Sequence, residues 1–168
     1  MSLAKKLGLA AKPVPEGFHT ITACLTVKDA EQAIDFYRRA FNAEEMLRVH
    51  GPDGRRIMHA ELKIGDSRCF IADEMEEMGN RAPDAAGGSP FTVYMYVHDV
   101  DAVCNRAVGA GAVLKEPIRD MFWGDRCGTI RDPFGYEWTV ATHKEDISKE
   151  ELRRLHDVWV QGLKSGRR

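Results

Sequence analysis

The sequence predicts an α+β fold: two tandem βαβββ modules forming a curved mixed β-sheet cleft, plus a C-terminal helix. Three observations carry this. Leu25-Thr26-Val27-Lys28-Asp29-Ala30 is echoed by Met95-Tyr96-Val97-His98-Asp99-Val100, 70 positions on. At the same offset Gly65 falls on Gly135, and Ile71-Ala72 on Ala141-Thr142. Each copy opens with an alternating apolar run, passes an acidic turn and enters a segment of helical spacing.

Residues 1–18 read as an N-terminal extension. Met1 to Lys12 carries lysines but no continuous apolar core and no cleavage site, which argues against a secretory signal. Residues 19–79 make the first module. In 19–27 the alternation puts Ile21, Ala23, Leu25 and Val27 on one face and Thr22, Cys24 and Thr26 on the other. Asp29 is placed to cap a helix over Ala30 to Phe41, with Ala33, Ile34, Tyr37 and Phe41 as its apolar stripe and Asn42 as its stop. Strands are expected at 44–50, 56–64 and 67–73, turned at Gly51-Pro52-Asp53-Gly54 and Gly65-Asp66. The acidic run from Asp73 to Glu77 reads as a solvated edge.

Residues 80–90, rich in Gly, Ala, Pro and Asp, are the linker. The second module, 91–146, repeats the order: a strand at 91–97, a helix from Val100 to Val108 ending at Gly109 and Gly111, and strands near 112–115, 126–131 and 136–142. Residues 116–125 are expected to form a loop carrying Phe122 and Trp123. Asp132-Pro133-Phe134-Gly135 reads as turn geometry without a catalytic role. In 147–168, Ser148-Lys149-Glu150-Glu151 has capping-box spacing and opens a helix with Leu152, Leu155, Trp159 and Leu163 along one side. That stripe suits packing on its own domain or on a second subunit.

At 168 residues, 43% apolar and 30% charged, the chain is sized for one domain or two small modules. A net charge of −2 gives no reason to expect nucleic acid or an anionic membrane as partner. No apolar run approaches the ~20 residues of a membrane span. Cys24, Cys69, Cys104 and Cys127 form no CxxC pair, against a zinc ribbon, and read as reduced thiols of a cytoplasmic protein. Phosphate-binding glycine loops, nucleophile elbows and HExxH patterns are missing.

Three segments carry a family resemblance: Leu25 to Ala30 with Ala33-Ile34-Asp35-Phe36-Tyr37; Phe122-Trp123-Gly124-Asp125-Arg126; and Asp132-Pro133-Phe134-Gly135-Tyr136-Glu137-Trp138. They resemble the vicinal oxygen chelate superfamily of glyoxalase I, extradiol dioxygenases and bleomycin-resistance proteins. Met58-His59-Ala60-Glu61-Leu62 and the closing Ala141-Thr142-His143 look most like its PhnB-like branch. The resemblance implies that metal-using members take His and Glu ligands from the first and last strands of each module. Registered on this chain, those four positions are Thr22, Cys69, Thr92 and Thr139. Threonine hydroxyls are poor neutral donors, so no metal and no other cofactor is expected. His19 would need a slip of three residues to become a ligand, and reads as a surface or core group.

On the same alternation, Cys24, Thr26, His59, Glu61 and Cys69 line the cleft from the first module, and Tyr94, Tyr96, Cys127, Thr129 and Arg131 from the second. By the repeat, Thr129 partners His59 and Arg131 partners Glu61. His59, Glu61 and Arg131 are candidates for acid–base work or for binding an anion. Equally, Glu61 and Arg131 neutralise each other while His59 is solvated. Trp123 reads as a lid over a ligand or as an anchor in the core or a dimer interface. The expected function is small-molecule binding in the inter-module cleft by Thr22, Cys24, Cys69, Thr92, Tyr94, Tyr96, Trp123, Thr129 and Thr139, in a homodimer. The alternative is a lyase, isomerase or dioxygenase-like enzyme using His59 and Glu61.

Overall fold

The computed structural model of the chain describes residues 12–83 and 88–164, of which 163 and 164 are described by backbone alone. The expectations for residues 1–11 and for the Leu163 side chain lie outside the described residues. Two compact units form, one ending at Ala82 and one starting at Pro83, with Arg39–Phe41 counted with the second.

In the first unit β1 (Ala23–Val27) leads into α1 (Ala30–Phe41), then β2 (Glu44–His50), β3 (Ile57–Ile64) and β4 (Ser67–Asp73). The strand order is β1-β4-β3-β2, with β1 parallel to β4 and the other pairs antiparallel. The helical crossover is what permits that parallel pair. Asp29 caps α1 by accepting from the Gln32 N–H at 2.9 Å, and Asn42 ends it at φ 54°. Ala33, Ile34, Phe36 and Tyr37 are withdrawn from solvent, as are Leu25, Val27, Ala60, Leu62 and Ile71 on one face of the sheet. Burial of each large member of that set is worth about 1.5–3 kcal/mol.

The second unit repeats the order with β5 (Thr92–Tyr96), α2 (Val100–Ala110), β6 (Val113–Asp120), β7 (Asp125–Arg131) and β8 (Glu137–His143), arranged β5-β8-β7-β6. Asp99 caps α2 through the Ala102 N–H at 2.9 Å. The C-terminal α3 spans Lys149–Lys164, and Ser148 Oγ accepts from the Glu151 N–H at 3.2 Å. None of the described helices is long and apolar enough to cross a membrane.

The structure corrects several sequence expectations. Ile21 lies outside β1 and is 87% exposed, so the buried face starts two residues later than the alternation suggests. α2 stops at Gly111 as expected, with φ 119° closing the helix, but runs on through Gly109 to Ala110. The expected loop at 116–125 is strand as far as Asp120. Pro117 is tolerated because β6 is an edge strand with irregular register. The acidic run is solvated only in part: Glu76 and Glu77 are exposed, but Asp73 and Met75 are buried.

The largest correction concerns the repeat itself. Four residues separate the paired Lys63 and Arg68, but five separate the paired Arg131 and Glu137. The extra residue serves the second turn, where Asp132 accepts from the backbone N–H groups of Phe134 and Tyr136 and from the Trp138 indole, each at 2.9 Å. The step between modules is 70 at β1 and β5, 68 at β3 and β7, and 69 at β4 and β8, the extra turn residue restoring one of the two lost before β7. A slip of one residue exchanges the faces of a strand.

Candidate functional site

Each sheet has a second face, opposite its buried one. In the first unit the register levels Cys24 and Glu61 with Phe70, and Thr26 with Ala72. Strand alternation adds His59 on β3 and Arg68 on β4. Cys69 is not there. It pairs with Ala23 and Leu62 on the buried face, is 7% exposed, and burial followed by the nearby Cys24 pushes its thiol up to about 12. Phe70 takes the place expected for Cys69. The partnerships of His59 with Thr129 and Glu61 with Arg131 fail by a slip of two, which keeps the face but shifts the pairing: Glu61 and Thr129 are equivalent, each level with Phe70 or Thr139 in its own sheet.

Glu61 receives Arg68 at 3.2 Å, and His59 Nε2 stands 3.6 Å from its other oxygen, too far for a hydrogen bond. Arg131 donates to Glu137 at 2.8 Å within the second unit. Each charge is thus paired inside its own sheet, though Arg131 Nε is buried without a hydrogen-bond partner. His19 is exposed ahead of β1.

The open face of the second sheet carries Thr92, Tyr94 and Tyr96 from β5, Glu137, Thr139 and His143 from β8, and Asp125, Cys127, Thr129 and Arg131 from β7. Thr129 and Thr139 share a hydroxyl hydrogen bond at 3.1 Å. Tyr94, level with Thr139, and Tyr96, level with the small Ala141, reach across β8 and both donate to Asp125 Oδ2 at 3.0 Å. His143 Nδ1 lies 2.8 Å from Asp125 Oδ1, and its Nε2 lies 3.1 Å from Asp146. Asp125 is 3% exposed. Burial alone would push its carboxyl up, but hydrogen bonds from His143, Tyr96 and Tyr94 hold it below the usual range. Burial and then Asp125 raise the Tyr94 hydroxyl, and the bonds to Asp125 and Asp146 raise His143.

These groups fix positions rather than exchange protons easily. The result is a pair of tyrosine rings, centroids 5.2 Å apart, anchored at their hydroxyls while 46% and 63% of their residues' surface stays exposed. Trp123 hydrogen-bonds to Tyr94. Its neighbour Phe122 packs on Trp159 and His156 of α3, at 5.5 and 6.1 Å between centroids. Gly124, at φ 93°, holds the turn against the Glu145 carbonyl, where a side chain would collide. The aromatic loop is accordingly anchored within its own unit, and α3 lies on that unit.

Sequence reasoning missed Asp125, His143, Asp146, Phe70, Arg68 and Phe18. Asp125 was hidden by the expectation of a loop. Once β7 is seen to begin there, its alternation with Cys127 and Thr129 places it on the open face. The family's metal positions, corrected for register, hold Thr22, Phe70, Thr92 and Thr139, a phenyl ring and three hydroxyls that do not fit a divalent ion. Thr22 immediately precedes β1 and is half-buried; Thr92 begins β5. Among the described residues no group of three or more His, Cys, Asp or Glu is arranged to hold a metal.

The comparisons agree with the repeated βαβββ order. Rv0887c of Mycobacterium tuberculosis (strain ATCC 25618 / H37Rv) is 40% identical over 132 residues, 77% of each chain. TioX from Micromonospora sp. ML1 is 28% identical with a TM-score of 0.58, covering 74% of this chain and 98% of that one. A PhnB protein from Bacillus cereus has the same fold at 16% identity, with a TM-score of 0.58 over 74% of this chain and 99% of its own. The model of the Glyoxalase/Bleomycin resistance protein/Dioxygenase superfamily matches residues 17–140, spanning both βαβββ units, and the chain belongs to that superfamily.

Proposed function

We propose that the chain binds a small organic molecule on the open face of its second sheet, without a divalent metal. The observation that carries this reading is the exposed Tyr94–Tyr96 ring pair, fixed by the buried Asp125 carboxylate. Exposed aromatic rings held in one orientation on a rigid sheet offer stacking area at little conformational cost. The Thr129–Thr139 pair and Arg131 on the same face supply hydrogen-bonding groups to orient a polar substituent. The four free cysteines support a reducing, cytoplasmic setting. The exposed Val158 and Trp159 of α3 support a homodimer.

The test is a thermal-shift screen of chelator-treated protein against phenols, benzoates and aliphatic acids. The reading expects a class of these to raise Tm in the parent and not in Tyr94→Ala. No shift with any class, or a shift that needs added Mn, Ni, Zn or Fe, contradicts it.

A further inference from the structure

A side chain from the segment ahead of β1 lies on the open face of the first sheet. Phe18 lies over Phe70 with 5.6 Å between ring centroids, and His59 packs on the same ring at 4.8 Å. The Arg68 guanidinium sits 4.9 Å from the centre of the Phe18 ring while it donates to Glu61 at 3.2 Å. Phe18 is half-buried, whereas residues 12–17 and 19–20 on either side are exposed. One side chain of this segment is therefore taken up by the face.

The main chain is shaped to deliver it. The Phe18 N–H closes a turn on the Pro15 carbonyl at 3.1 Å. Gly17 has φ 79°, and a side chain there would stand 2.9 Å from Arg68 Nε. A residue other than glycine would push the guanidinium off the ring. Seventy positions on, the repeat has Gly88 in place of Phe18.

We infer that Phe70, His59 and Arg68 form a subsite for an electron-rich aromatic ring, occupied in this structure by the chain's own Phe18. Phe70 offers an aromatic contact, its ring tilted 48° from that of Phe18, and Arg68 places a cation over the bound ring, which favours rings rich in π-electrons such as phenols, naphthols and indoles. Glu61 holds the guanidinium in place rather than meeting the ligand. An incoming ring has to displace Phe18, so its apparent affinity is lowered by the fraction of molecules in which Phe18 is bound. This subsite stands on residues separate from the Tyr94–Tyr96 face and does not depend on the reading of that face.

The test is fluorescence titration of the full chain with 2-naphthol. Stacking and cation–π terms of the usual size predict that Phe18→Ala lowers the Kd about tenfold relative to the parent. Adding Phe70→Leu, which keeps an apolar side chain but removes the ring, is expected to abolish that gain. Adding Tyr94→Ala instead is expected to leave it intact. An unchanged or weaker Kd in Phe18→Ala, a gain that survives Phe70→Leu, or a gain lost with Tyr94→Ala would each overturn the inference. The last outcome would assign naphthol binding to the second sheet, which separates the two proposals.

Discussion

Asp73 and Thr142 do the same work at the ends of equivalent strands. Asp73 Oδ1 accepts the Ala30 N–H at 2.7 Å, and Thr142 Oγ1 accepts the Val100 N–H at 2.9 Å. Each supplies a partner to the first turn of its unit's helix, where backbone N–H groups lack one. Asp73 does more, since its Oδ2 also accepts the Ile57 N–H at 2.6 Å and ties the start of β3 to the same carboxylate. Asp73→Ala leaves two buried donors unpaired and is expected to cost about 3–5 kcal/mol in a denaturation experiment. Thr142→Val removes one neutral hydroxyl, which accepts from Val100 and donates to the Val97 carbonyl at 3.0 Å, and is expected to cost about 1–2 kcal/mol. Equal losses would contradict the assignment.

That pair also marks how far the sequence could be read. Alternation, N-caps and turn residues located the α-helices and the start of each strand within a few residues, because these signals are written locally, while β6 runs five residues past its expected end. The step from Asp73 to Thr142 is 69 while that from Ala30 to Val100 is 70: the second unit is two residues shorter between its helix and β7, and the Asp132 turn restores one of them. A constant offset aligned Gly65 with Gly135 and so carried Cys69 onto the wrong face. The site suffered most, because Tyr94 reaches Asp125 across an intervening strand, and such contacts have no sequence spacing.

The face assigned to Cys69 has a chemical readout. Its thiol is pushed up to about 12, while Cys24 is exposed on the opposite face. Iodoacetamide at neutral pH is expected to modify Cys24 at least about tenfold faster than Cys69, since reactivity follows access and thiolate content. Peptide mass mapping of the native protein measures both rates. Comparable rates would return Cys69 to the open face.

The Asp125–His143 pair predicts a pH dependence with a definite sign. His143 is raised above its ordinary 6.5, so its stabilising contribution is full below about pH 6.5 and is lost as pH rises through the raised value. Asp125 is lowered from 3.8, so its contribution is full above about pH 3.8 and is lost as pH falls through the lowered value. The Tm gap between the parent and His143→Asn is therefore expected to be widest between about pH 4 and 6.5, and to narrow in alkali. A gap that widens with rising pH would contradict the pairing.

Phe122 links the aromatic loop to α3 through Trp159. Trp159→Ala is expected to lower Tm by a few degrees, roughly the effect of losing 1 kcal/mol, and to change the near-ultraviolet circular dichroism of the remaining tryptophans. Unaltered spectra and Tm would mean that α3 does not hold the loop.

The central claim is that a small molecule binds on the open face of the second sheet without metal. It is tested most directly by ¹H–¹⁵N correlation spectra of chelator-treated, isotope-labelled protein titrated with the benzoates and phenols of the thermal-shift screen. The account predicts saturable shifts centred on Tyr94, Tyr96, Thr129 and Thr139, and their loss in Tyr94→Ala. Shifts that appear only after a divalent ion is added, or none at these four residues, would contradict it.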